Sequence, residues 1–233
     1  MDAAINYLLR DSGALKSTID LNRTGMNEGG FSDESYTSFI GAIEDLNTKE
    51  TAQEKAVKDA GDKTAAQNEI VAGTQKLISD VKAAAKSAYG RDKRNLSMFK
   101  IGEDIPKSVK SLIPLCSYMI EQVQERKAVL LKNGLKQTKI DALIATPAQL
   151  KTADDVQESA KKIQKSKTLE RDAAAKELKE QVFKIRNFAK ACFSGKPEIL
   201  VLFNPIPKGR GGSGNSDEPT PPSNPTPPTP PAK

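Results

Sequence analysis

The chain has 233 residues, 28% of them charged and 37% hydrophobic, with a formal net charge of +6, two cysteines, no tryptophan and no histidine. It contains no run of about 18 apolar residues, which excludes a membrane-spanning helix, and two cysteines are too few for a disulfide framework or a thiolate metal site. Lack of histidine removes the commonest general base and metal ligand, while few aromatic rings among many Ala, Lys, Glu and Gln point to helices packed through small aliphatic seams.

The first segment, from Met1, has neither a basic n-region nor an unbroken apolar h-region, so no signal peptide is visible and the expected compartment is the cytoplasm. Ile5, Leu8, Leu15 and Ile19 follow three/four spacing and predict a helix, weakened by Ser12-Gly13 in its middle. A stretch from Gly30 to Tyr89 carries a second, longer seam through Phe39, Ile43, Leu46, Val57, Ala60, Val71, Ile78, Val81, Ala85 and Ala88. A coiled coil would need Glu50, Gln53, Thr64, Gln67 and Thr74 on that seam, and Gly61 predicts a bend or break beside it. Gly90 is available as a left-handed cap, followed by the apolar hook Leu96-Ser97-Met98-Phe99.

The pattern then repeats. Val109, Leu112, Met119 and Val123 form another helical stripe, in which Pro114 predicts a kink or a fresh start. Leu143, Leu150, Val156, Ala160, Ile163, Leu178, Val182, Ile185, Ala189 and Cys192 line a second long seam. Thr146-Pro147-Ala148-Gln149 reads as a helix restart, and Gly195 as the closing cap before the hook Ile199 to Phe203. Both hooks are expected to fold back and plug the bundle ends.

Sliding the sequence by 104 positions pairs Gly30 with Gly134, Leu46 with Leu150, Gln53-Glu54 with Gln157-Glu158, Lys63-Thr64 with Lys167-Thr168 and Phe99 with Phe203, giving 14 identities in the 70 pairs from Gly30 to Phe99. Chance in ordinary composition is roughly one in fifteen. The two cysteines fall on apolar faces of predicted helices, at positions whose repeat mates are Ser12 for Cys116 and Ala88 for Cys192, which marks them as small core residues.

From residue 208 the composition changes to a Gly-rich linker and then Pro/Thr-rich, polyproline-II material, a tail that cannot form a core. Its PxxP spacings, Pro219 with Pro222 and Pro225 with Pro228, are the register that docks on aromatic-lined grooves, and equally what any Pro/Thr repeat produces. Basic residues gather near the two helix ends: Lys82, Lys86, Arg91, Lys93, Arg94 and Lys100 in the first copy, Lys184, Arg186, Lys190 and Lys196 in the second. Lys86, Arg91, Lys93, Arg94, Lys190 and Lys196 are the candidate anion-binding residues, although cations at helix C-termini are also favoured by the macrodipole alone.

The start at Gly134-Leu135, the ending Phe188-Ala189-Lys190-Ala191-Cys192-Phe193, the hook Pro197-Glu198-Ile199 and the tail resemble a group of uncharacterised bacterial helical-bundle proteins with a Pro/Thr-rich C-terminal end. The resemblance implies a fold class and carries no activity.

The reading is all-α: an antiparallel helical bundle from an internal duplication, with repeats at 1–103 and 105–207 packed as one bundle and a disordered tail at 208–233. The runner-up breaks each long segment near Thr64 or Thr168, giving six helices. No catalytic, cofactor or metal residue is expected, and the chain is read as a non-enzymatic structural or interaction scaffold that displays its tail to an unidentified protein partner. The alternative is nucleic-acid or anionic-surface binding through the basic helix ends.

Overall fold

The computed structural model describes residues 2–207; they are mostly helical and contain no strand. The helices in chain order are α1 (Ala3–Leu21), α2 (Arg23–Glu28), α3 (Asp33–Tyr89), α4 (Lys93–Met98), α5 (Val109–Glu125), α6 (Lys127–Lys132), α7 (Gln137–Cys192) and α8 (Pro197–Leu200), the last running into a 3-10 turn over Val201–Phe203.

Local chemistry sets the boundaries. Asp2, Ser32, Asp92 and Ser108 cap α1, α3, α4 and α5 by accepting from backbone N–H groups of the first turn, and Asp33 and Glu34 add negative charge at the start of α3. Between α2 and α3 the chain reverses at Gly30 (φ 96°), and between α6 and α7 at Gly134 (φ 95°). In both turns the residue after the glycine, Phe31 or Leu135, donates its N–H to the carbonyl of Met26 or Leu130 and buries its side chain against the same residue's cluster. A left-handed glycine with this backward bond and apolar contact is a Schellman motif.

The 57 residues of α3 and 56 of α7 form the spine. Their cross-contacts run in opposing order: Ser38 meets Gln181, Glu50 meets Arg171, Thr64 meets Gln157, Gln67 meets Asp154 and Asp80 meets Lys139. Neither helix breaks at Thr64 or Thr168, where each hydroxyl donates to the carbonyl four residues back, so the six-helix alternative is corrected. Gly61 and Pro147 likewise lie inside continuous helix, and Pro114 inside α5. A proline deletes one helical hydrogen bond, and buried neighbours on both sides, Ile140, Leu143 and Leu150 around Pro147, hold the helix together across the gap. Gly195 is not the left-handed cap expected of it; α7 ends on Phe193 in an ordinary conformation, unlike Gly90 (φ 57°) at the end of α3.

Two apolar cores sit at the two ends of the spine. The first joins Ile5, Leu8, Leu15 and Ile19 of α1 with Phe39 and Leu46 of α3, Leu178 and Ile185 of α7, and Phe203. The second joins Leu112, Cys116 and Met119 of α5 with Ile78 and Val81 of α3, Ile140 and Leu143 of α7, and Phe99. Each hook therefore plugs its core with one phenylalanine, Phe99 or Phe203, delivered by a helical turn rather than a strand, while Val201 and Leu202 of the second hook stay exposed. Each fully buried Leu, Ile or Phe contributes about 1.5–3 kcal/mol.

Between the cores the spine narrows to two helices. There the buried residues are Glu50, Ala56, Ala60, Gln67 and Thr74 of α3 with Gln157 and Ala160 of α7, while Val57, Val156 and Ile163, expected on the seam, are exposed. With only one neighbour, each helix buries a single line of residues, and the small or polar ones take it. The side positions face solvent whatever their hydropathy.

Candidate docking groove

A groove of about 890 Å³ lies between α1, α7 and the segment from Leu200 to Pro205. Alternating burial on α1 and α7 builds its walls: Leu8 and Val182 form the floor, while Arg10, Lys179, Phe183 and Lys190 stand at the exposed rim. Phe183 leaves 67% of its surface in solvent.

A polar lock ties the C-terminal segment to this groove. Asp11, 3% exposed on a face otherwise made of Leu8, Ser12 and Leu15, accepts from Arg186 at 2.7 Å and from the Ile206 N–H at 3.0 Å. Arg186 Nε donates to the Phe203 carbonyl at 2.9 Å, and the Tyr7 hydroxyl donates to the Ile206 carbonyl at 2.9 Å. The carboxylate and guanidinium thus neutralise each other while satisfying the backbone of the incoming strand of chain.

The sequence singled out neither Asp11 nor this lock. Its one local signal is an acid on an apolar helical stripe, which is costly unless a partner arrives from elsewhere. That partner lies 175 residues away.

At the other end, residues 101–106 lie along α3 above Gln75, Lys82 and Lys86. Lys82 donates to the Glu103 carbonyl at 2.7 Å and Gln75 to the Pro106 carbonyl at 2.8 Å. Burial pulls the Lys82 ammonium below the usual lysine range, opposed by the nearby charges of Glu103 and Asp104.

The six candidate anion-binding residues divide between the ends. Lys86, Arg91, Lys93 and Arg94 lie around the exit of α3, and Lys190 and Lys196 around the exit of α7. All six are exposed. Because the spine helices meet in opposing order, the two sets lie about 80 Å apart at 1.5 Å rise per residue and do not converge on one site. The proline positions Pro219, Pro222, Pro225 and Pro228 lie outside the described residues.

Cys116 is fully buried in the second core, and burial pushes its thiol up to about 11. Cys192 is half-buried and donates through Sγ to the Gly25 carbonyl at 3.1 Å. Among the described residues no group of three or more Cys, Asp or Glu is placed to hold a metal ion, and no helix is long and apolar enough to cross a membrane.

No family model, curated protein or solved structure matches the chain.

Proposed function

We propose that the protein is a non-enzymatic scaffold: two copies of one helical unit, packed antiparallel as a bundle, that carry the proline-rich C-terminal segment to a protein partner. The observation that carries this reading is the lock on Ile206, held by Asp11 and Tyr7, which fixes the point from which the chain continues toward residue 208. A defined exit point on a long bundle suits a display function.

The duplication within this reading is supported by element boundaries. Adding 104 to the first residues of α2, α3 and α4 gives the first residues of α6, α7 and α8. The stacked pair Tyr89 and Phe99, with centroids 6.1 Å apart, has its counterpart at the same offset in Phe193 and Phe203, 5.8 Å apart. Opposing order along the spine supports the antiparallel arrangement.

Affinity capture with the intact chain and with a chain ending at residue 207 tests the reading. Partners recovered only by the intact chain are expected. Equal recovery by both chains would overturn display by the tail.

A further inference from the structure

The two ends of the bundle present corresponding grooves, each bordered by the chain's own following segment: at one end that segment carries two acids, and at the other it is held at Ile206 and carries none up to Pro207. Residues Ile101-Gly102-Glu103-Asp104-Ile105 run without helical structure along α3, with Ile101 and Ile105 packed on the second core and the acids exposed near Lys82 and Lys86. At the offset of 104, Gln75, Lys82 and Lys86 become Lys179, Arg186 and Lys190, which line the α1–α7 groove. The charge balance there differs. Asp11, the one acid lining that groove, is committed to Arg186, so Arg10, Lys179 and Lys190 stand without an acidic partner among the described residues. The chain's own next residues do not supply one, because Glu103 and Asp104 are replaced by Pro207 and Lys208.

We propose that the α1–α7 groove docks an extended acidic peptide segment of a partner protein, seating an apolar side chain against Phe183 and placing carboxylates on Arg10, Lys179 and Lys190. A peptide is favoured over a nucleic acid because an acidic segment of the chain runs along the corresponding groove, and because Phe183 is the one exposed ring among the lining residues, Phe203 being buried and Tyr7 half-buried with its hydroxyl held by the Ile206 carbonyl. The proposal goes beyond tail display and does not depend on it.

Fluorescence anisotropy of the labelled peptide Ile-Gly-Glu-Asp-Ile-Pro with the full-length chain tests this. Saturable binding with Kd below about 1 mM is expected, weakening as salt rises. Arg10→Glu with Lys179→Glu, and separately Phe183→Ser, each weaken it by about tenfold or more, whereas Lys151→Glu, exposed on α7 away from both grooves, leaves it unchanged. Circular dichroism melts of each variant establish that these exposed substitutions leave the fold intact. No saturation at 1 mM, equal binding of Ile-Gly-Gln-Asn-Ile-Pro, or undiminished binding by the groove variants overturns the proposal. So does tighter binding of a six-nucleotide thymidine strand. A chain ending at residue 207 that binds the probe about tenfold more tightly than the full chain overturns it too, by identifying the protein's own Asp217-Glu218 segment as the occupant.

Discussion

Gln67 donates to Asp154 across the waist at 2.7 Å, and the residues 104 positions from each, Arg171 and Glu50, face one another across the same waist with 3.6 Å between Nη1 and Oε2. One contact pairs a neutral amide with a carboxylate and the other is ionic. They differ in burial, since Glu50 is 1% exposed whereas Asp154 reaches solvent.

Removing the cation should therefore cost more than removing the amide. Arg171→Ala leaves the Glu50 carboxylate with the Asp2 N–H as its remaining partner and is expected to lower stability by about 2–4 kcal/mol. Gln67→Ala is expected to cost about 1 kcal/mol. Urea unfolding of the two variants checks the order, and equal losses would refute it.

The Asp11–Arg186 lock makes a second test. Asp11→Ala strands a largely buried guanidinium and is expected to cost about 2–4 kcal/mol. The double replacement Asp11→Leu with Arg186→Leu removes both charges and should recover most of that loss, as the residue equivalent to Asp11 in the other half is Leu115. A double variant less stable than Asp11→Ala would show that the lock contributes more than charge neutralisation.

Ser12 is fully buried, and its hydroxyl has no hydrogen-bond partner. Ser12→Ala removes that desolvated group and raises helix propensity, so a gain of about 1 kcal/mol is expected in thermal or urea unfolding. A loss would mean that the hydroxyl is satisfied in solution.

Two glycines should respond with opposite signs to alanine. A Cβ on Gly25 would sit 2.8 Å from the buried Phe193 ring, so Gly25→Ala is expected to destabilise by about 1 kcal/mol or more. Gly61 meets nothing within 4 Å inside continuous α3, and Gly61→Ala should stabilise by about 1 kcal/mol. Destabilisation by the second change would argue for a break in α3.

Cys116 predicts a loss of stability in alkali. Its folded thiol is raised to about 11 from an ordinary 9.0, so its contribution is complete below pH 9 and is lost as pH rises toward 11, where the unfolded chain releases the proton more readily. The stability difference between the natural chain and Cys116→Ala should be flat below pH 9 and should then shift against the natural chain. A difference independent of pH would contradict this.

The helices and the core phenylalanines of the two hooks, Phe99 and Phe203, were legible because each is a local pattern; the left-handed turns at Gly30 and Gly134 were not read from the sequence, which offered Gly90 and Gly195 as caps. Nor was the waist. Val57, Val156 and Ile163 obey seam spacing, yet burial there is set by how many helices surround the position, which spacing does not encode. Thr146-Pro147 has the form of a helix start, but packing around Ile140 and Leu150 overrides it. The groove's central pair was beyond reach for a related reason, since Asp11 and Arg186 meet only through the whole tertiary course of the chain.

The two cores draw on the chain in different ways. Every buried residue of the second lies between Ile78 and Leu150, whereas the first needs Ile5 and Phe203 together. Emerging from a ribosome, the chain can complete the second core before the stretch from Ala174 to Phe203 has emerged. The N-terminal helix meets Met26, Phe31, Phe39 and Leu46 early, but the side of its apolar stripe that faces α7 and Phe203 stays uncovered until the second hook arrives. Closing the longer loop late carries the larger entropic cost and exposes that stripe longest, so α1 is the element most in need of protection during synthesis.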